Sequence, residues 1–299
     1  MISYEKIRIA AKNAGFDDCK LTTCEPLTQE AERYARWLKE GNHAGLHYLE
    51  RNNDKRFSPA RLVEGARTVI VCAVGYKNAL SEGYPASHDA KIASYACNRD
   101  YHTTIKAMLH QMAEELKREY PTLSGRAFVD SAPLNEKSLA VRAGLGWIGR
   151  QGLLISPTLG SWLHLGELVI NLEADRYDVP FSGERCGSCR ACVEACPNGA
   201  IRADRTIDAR RCIACRTIER SEGKIISLNG WLFGCDACQS CCPHNRPAPM
   251  ARNPHFHPLF DPTPWDKTWW KNLTEEEFTE RFGATPLVRY GLSWLQRDK

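Results

Sequence analysis

The chain has 299 residues, of which 43% are hydrophobic and 25% charged, and a formal net charge of +4. This is the composition of a soluble globular protein of one large domain or two medium ones, long enough to bury a core without disulfide staples. The mild positive charge permits a polyanionic partner without demanding one, and the absence of any run of about 18 apolar residues argues against a membrane span.

Met1 to Gly15 alternates charged and apolar residues, unlike a signal peptide, so the cytosol is the expected compartment. Ile7, Ala10, Ala11 and Ala14 predict a helix over 4–14. Leu27, Ala31, Tyr34 and Leu38 predict a second over 27–40, with Gly41 as its stop. The β-branched apolar run at 67–76 predicts a buried strand. Ile105, Met108, Leu109, Met112 and Leu116 predict an amphipathic helix over 102–120. A short strand over 125–130 ends at Asp130, a helix follows over 135–143, and 166–173 forms another strand. The class is α/β or α+β, with strand order open.

After Pro180 the composition shifts to cysteine, glycine and proline, as in a subdomain organised by a cofactor. The tail from Ala248 holds four of the eight tryptophans, and Thr274 with Glu277 has capping-box spacing for a short helix stopping at Gly283. The expected division is 1–180, 181–247 and 248–299.

Ten of the fourteen cysteines fall between Cys186 and Cys242; Cys19, Cys24, Cys72 and Cys97 are scattered. In a reducing compartment such density points to metal rather than disulfides. Cys186-x2-Cys189-x2-Cys192-x3-Cys196-Pro197 has bacterial ferredoxin spacing, in which the fourth cysteine serves the neighbouring cluster. Cys212 and Cys235-x2-Cys238-x3-Cys242-Pro243 form a split second set. By pseudo-symmetry Cys186, Cys189, Cys192 and Cys242 hold one 4Fe–4S cluster, and Cys212, Cys235, Cys238 and Cys196 the other. Cys215 and Cys241 are left over, and Cys215 competes with Cys212 as a ligand. Zinc is the plain alternative, although it has no need of the interleaved fourth cysteine. Two neighbouring clusters make an electron wire, so the catalytic centre is expected outside 186–243.

Residues 129–154 are the candidate, with 160–167 after them. Asp130 is placed to aim a carboxylate into a cleft, or is only a turn or capping residue. Gly144, Gly146, Gly149 and Gly152 permit close approach of a flat or bulky ligand.

These segments resemble the epoxyqueuosine reductase (QueG) family over nearly the whole chain, to about residue 295. The resemblance rests on Tyr95-Ala96 with Asp100-Tyr101-His102, on VDSAP with Glu136 and AVRAGLGWIGR, and on LLISP, GSW and LGE. It continues in DARRCIACRTIE, GCDACQ and CPHN. It implies a cobalamin held base-off between an α/β domain and a ferredoxin-like domain. The implied substrate is epoxyqueuosine at the wobble position of a tRNA with a queuosine-type anticodon, whose epoxide oxygen is lost as water.

The motif match makes Asp130 the general acid, and burial beside the corrin is expected to raise its pKa and keep it protonated near neutrality. Cys97 either faces the cofactor or is a buried structural thiol. Arg56 contacts the corrin periphery or is a solvated surface residue. Ser156 donates to the corrin edge or stabilises a turn, and His102 supports substrate or is structural. The family usually has an aromatic at Cys215 and an aliphatic at Cys241. Its longer members carry a C-terminal helical-repeat domain, so RNA contact is expected from the core and the tail. There Lys267, Lys271, Arg281, Arg289 and Arg297 touch phosphates or merely solvate the surface. The resemblance also implies a monomer fed by a flavodoxin or ferredoxin. The competing functions are a small-molecule reductase of reductive-dehalogenase type and an electron-transfer module without corrin.

Overall fold

The apolar run at 67–76 becomes a strand from Thr68 to Gly75 in which every residue is buried. Its side chains alternate between two cores. Ile70, Cys72 and Val74 enter one, while Val69, Val71 and Ala73 enter the other. Burial on both faces explains why the run is continuous rather than alternating.

The computed structural model describes residues 1–222 and 227–297. Its central sheet is antiparallel throughout, in the order β1 (Asp18–Thr23), β2 (Thr68–Gly75), β4 (Leu163–Ile170), β3 (Gly125–Phe128). Helices α1 (Tyr4–Asn13) and α3 (Tyr101–Glu119) supply Ile7, Ala10, Ile105 and Leu109 to one face. Helix α4 (Glu136–Arg142) supplies Leu139 and Ala140 to the other. Helix α2 (Thr28–Lys39) has no fully buried residue and stops before Gly41, whose φ of 68° suits glycine.

Three differences from the sequence reading have local causes. Strand β1 was not foreseen, because DCKLTT hides its inward pair, Cys19 and Leu21, among polar residues. Strand β4 lies earlier than 166–173: its register against all eight residues of β2, from Gly75↔Leu163 to Thr68↔Ile170, sets its ends. Strand β3 stops at Phe128, and Asp130 stands beyond it with a left-handed φ of 51°.

Among the described residues the cysteine-rich segment contributes short elements, the helices Ala191–Ala195, Ile213–Thr217 and Ala237–Ser240 and the strand Trp231–Phe233, which runs parallel to Lys91–Ile92. The tail closes over this junction, burying Trp270, Phe278, Phe282 and Leu287 in a cluster with Ile92 and Phe233. The helix Glu275–Phe282 carries the Thr274–Glu277 capping box.

Buried polar contacts fasten the cysteine segment to the sheet. Asn245 Oδ1 accepts from the Ser161 N–H at 2.6 Å, and its Nδ2 donates to the Gln239 carbonyl at 2.8 Å. Lys77 Nζ, at the end of β2, donates to the carbonyls of Asn245, Arg246 and Ala248 at 3.0, 3.2 and 3.1 Å. Lys77→Met retains the apolar stem but strips a charged donor from three carbonyls. It is expected to lower stability by about 2–4 kcal/mol, measured by anaerobic denaturant unfolding.

Candidate active site

The cysteines fall into two groups. Burial and the adjoining thiols Cys242, Cys186 and Cys189 push the Cys192 thiol up. Burial and then Cys235, Cys212 and Cys196 do the same for Cys238. The fold therefore assembles the two quartets that the doubled spacing suggests. All fourteen cysteines are free. Cys241 lies beside the first quartet, its Sγ 3.7 Å from the Cys238 carbonyl, and Cys215 stands next to Cys212.

A cavity of about 540 Å³ opens between the second quartet and the sheet. Cys196, Cys212, Cys235 and Cys238 line it, and so do Asp130 and Tyr101. Its walls are mostly apolar, with Tyr76, Tyr95, Leu153 and Leu163 among them. Gln151 Nε2 and His164 Nε2 are buried with no hydrogen-bond partner among the described residues, and both residues line the cavity. Apolar walls with stranded polar groups fit a large flat ligand with amide-bearing edges, as a corrin is.

Asp130 faces this space with its side chain 58% exposed. Its Oδ2 accepts from the Tyr101 hydroxyl at 2.5 Å and lies 3.5 Å from His102 Nε2. Its backbone N–H donates to Glu136 Oε1 at 2.5 Å. Tyr101 in turn stacks on His164 with ring centroids 4.3 Å apart, and His164 on Tyr76 at 4.4 Å. The expectation that burial keeps Asp130 protonated fails here. Burial does push its pKa up, but the hydrogen bonds from His102 and Tyr101 outweigh it and hold the carboxyl below its usual range.

The family described as "Epoxyqueuosine reductase QueG, DUF1730" matches residues 56–131, and "4Fe-4S double cluster binding domain" matches residues 185–245. The epoxyqueuosine reductase of Cyclobacterium marinum is 38% identical over 297 residues, which is 98% of this chain and 94% of the relative. The chain belongs to the epoxyqueuosine reductase family. A crystal structure of an epoxyqueuosine reductase with an epoxyqueuosine-modified tRNA stem loop is similar at a TM-score of 0.85 and 25% identity, over 98% of this chain and 78% of that one. The Bacillus subtilis epoxyqueuosine reductase, solved with its catalytic aspartate loop swung out of the active site, is similar at 0.84, with the same identity and coverage. Epoxyqueuosine reductases depend on cobalamin together with iron–sulfur clusters.

Several residues singled out from the sequence lie away from the cavity. Cys97 is fully buried in the cluster with Ile92 and Phe233, its Sγ 3.8 Å from the Ala93 carbonyl, so the structural reading of its thiol holds. Ser156 Oγ accepts from the Thr158 and Leu159 N–H groups and makes a turn. Arg56 is half-buried and away from the cavity; its guanidinium lies 5.5 Å over the Tyr34 ring and donates to the Tyr48 carbonyl. A Cβ at Gly144 meets the Val179 carbonyl and one at Gly146 the Ile155 carbonyl, so these two glycines serve backbone packing. Of the four, Gly152 alone lines the cavity. In the tail, Arg289 approaches Asp100 at 3.8 Å, while Arg281 and Arg297 lie over Trp269 and Trp294.

Sequence reasoning missed a carboxyl pair beneath Asp130. Glu167 sits on β4 between Leu165 and Val169, which enter an apolar core, and it is fully buried with no hydrogen-bond partner of standard geometry. Burial and then the neighbouring Glu136 push its pKa well above the usual value, and Glu136 is pushed up to about 7 by burial and Asp130. In the sequence Glu167 shows as a charged residue in a largely apolar strand, inside the LGE segment. The native state holds a proton on Glu167 that the unfolded chain releases above its ordinary pKa of 4.5, so stability falls as pH rises from that value towards the raised native one. Glu167→Gln is expected to melt higher than the parent at pH 8, with the gap closing towards pH 5, as read by thermal unfolding at both values.

Proposed function

We propose that this chain reduces epoxyqueuosine in tRNA to queuosine. In this reading electrons enter from the cysteine wall of the cavity and protons from the Asp130 wall. The single observation that carries it is the cavity itself, which has one cysteine quartet on one side and a hydrogen-bonded carboxylate on the other.

Cys186, Cys189, Cys192 and Cys242 are the ligands of one 4Fe–4S cluster, and Cys196, Cys212, Cys235 and Cys238 those of the cluster nearer the cavity. Cobalamin fits between Gln151, His164 and the apolar wall. When bound, these groups supply single-electron transfer and a low-valent cobalt reactive towards strained carbon. The chain's own work is to orient the nucleoside, exclude water and deliver protons. Asp130 presents Oδ2 to the departing oxygen, with Tyr101 fixing the carboxyl by donating to it. Tyr101 stays protonated because burial and Asp130 push its pKa up. The tRNA substrate class follows from the related complex with a modified stem loop. A flavodoxin or ferredoxin donor, a monomeric state, a cytoplasmic location and a division at residues 180 and 247 complete the reading. No helix among the described residues is long and apolar enough to cross a membrane.

Asp130→Asn should lower turnover on epoxyqueuosine-bearing tRNA by at least ~100-fold while cluster and cobalamin content stay unchanged; full turnover would overturn the assignment. For the clusters, Cys241→Ser is expected to keep about eight irons per chain, whereas Cys212→Ser drops towards about four. Iron and acid-labile sulfide analysis of anaerobically purified protein reads the difference.

A further inference from the structure

Loss of an epoxide oxygen as water consumes two electrons and two protons. Both C–O bonds break, a C=C bond forms, and the oxygen departs with two hydrogens. One carboxyl group holds one proton, so Asp130 must be recharged between the two protonations, from solvent or from a neighbouring proton-bearing group.

The structure holds a line of groups that the roles above leave unused. His102 Nε2 lies 3.5 Å from Asp130 Oδ2, and its Nδ1 lies 2.7 Å from Asp100 Oδ1. The side chains of His102 and Asp100 are only 17% and 15% exposed. Asp100 caps α3, with Oδ1 accepting the His102 N–H at 3.0 Å, so carboxylate and imidazole are fixed by the same helix start. We infer that the Asp100–His102 pair is the proton store of the reaction, recharging Asp130 through His102 Nε2 between the two protonations of the departing oxygen. This rests on the reading of Asp130 as proton donor.

The charged and titratable groups around the imidazole agree with that role. Burial lowers the His102 pKa, but hydrogen bonds to Asp100 and Asp130 outweigh it, with Arg289 opposing, and the balance is upward. His164, on β4, does not compete for the proton, because burial pushes it down to about 3. Tyr101 keeps its own. Transfer from imidazolium to carboxylate is uphill in the resting site and becomes downhill once a basic oxygen draws the proton onward from Asp130. The electrons come from the flavodoxin or ferredoxin of the proposed reaction.

His102→Ala is expected to lower kcat by about 100-fold, with KM for tRNA and cluster content unchanged, and added imidazole should restore turnover. The rescue should follow the imidazolium form and fade as pH rises through about 7. No loss, or a loss that imidazole leaves unrestored, overturns the proton store. Should His102→Ala fail to accumulate, Asp100→Asn serves. Without its carboxylate partner the imidazolium deprotonates earlier, so the alkaline limb of kcat moves to lower pH, and an unmoved limb overturns the inference. Asp130→Asn run in parallel separates the failures. If it is active, the proton-donor reading falls; if it is inactive while His102→Ala is unimpaired, only the store falls.

Discussion

The acid wall of the cavity hangs on one hydrogen bond, from the Asp130 backbone N–H to Glu136 Oε1. Asp130 adopts a left-handed backbone, which disfavours a non-glycine residue by about 1 kcal/mol and persists only where neighbours over-determine it. Glu136 holds the main chain and Tyr101 holds the carboxyl, so the loop after β3 is pinned from both sides. Glu136 can accept because Glu167 retains the proton in their shared buried site. Two carboxylates cannot both ionise there, and one retained proton keeps the pair together. The related reductase with its catalytic loop swung out indicates that such a loop has a second position. In this chain the Glu136 contact ties the Asp130 main chain to helix α4.

Charge placement across the cavity follows from the same loop. Each electron arriving near the cysteine wall makes that region more negative, and a negative change raises the pKa of every nearby acid. Asp130 begins below its usual range because of His102 and Tyr101, so a negative change must first offset those hydrogen bonds before the carboxyl gains a proton. Lys137 works in the same region: its Nζ donates to the Gly152 carbonyl at 2.8 Å, and burial pushes its pKa down.

Legibility in the sequence followed the range of the interactions. The helices over 4–14 and 102–120 were readable because periodic apolar residues and local caps decide them, and the cysteine quartets because ligand spacing is a local constraint. The strand at 18–23 was not, since Cys19 and Leu21 gain their burial only from β2. The charge state of Asp130 was misread for a similar reason: burial is guessable from an apolar neighbourhood, whereas His102 and Tyr101 reach it only after a helix and a strand meet. Glu167 was the hardest, because its partner lies on a helix packed across the sheet, and no spacing along the chain encodes that contact. Cys97 and Ser156 show the converse. Each stands inside a segment shared with the family, yet the structure uses its side chain for packing or a turn.

The two walls of the cavity come from chain segments roughly a hundred residues apart, so their separation depends on the seam between them. That seam is polar and directional. Lys77 and Asn245 bind backbone groups, and Ser161 both donates to Gln239 Oε1 at 3.0 Å and offers its own N–H to Asn245. An apolar seam of equal area would cohere as well but could slide, because dispersion and burial depend weakly on register. Hydrogen bonds between buried groups tolerate little displacement before a carbonyl or amide is left unpaired. Electron transfer falls steeply with distance and proton transfer more steeply still. A cavity fed by both therefore gains more from a seam of fixed register than from one that is merely adhesive, and this accounts for buried polar residues where an apolar interface would otherwise serve.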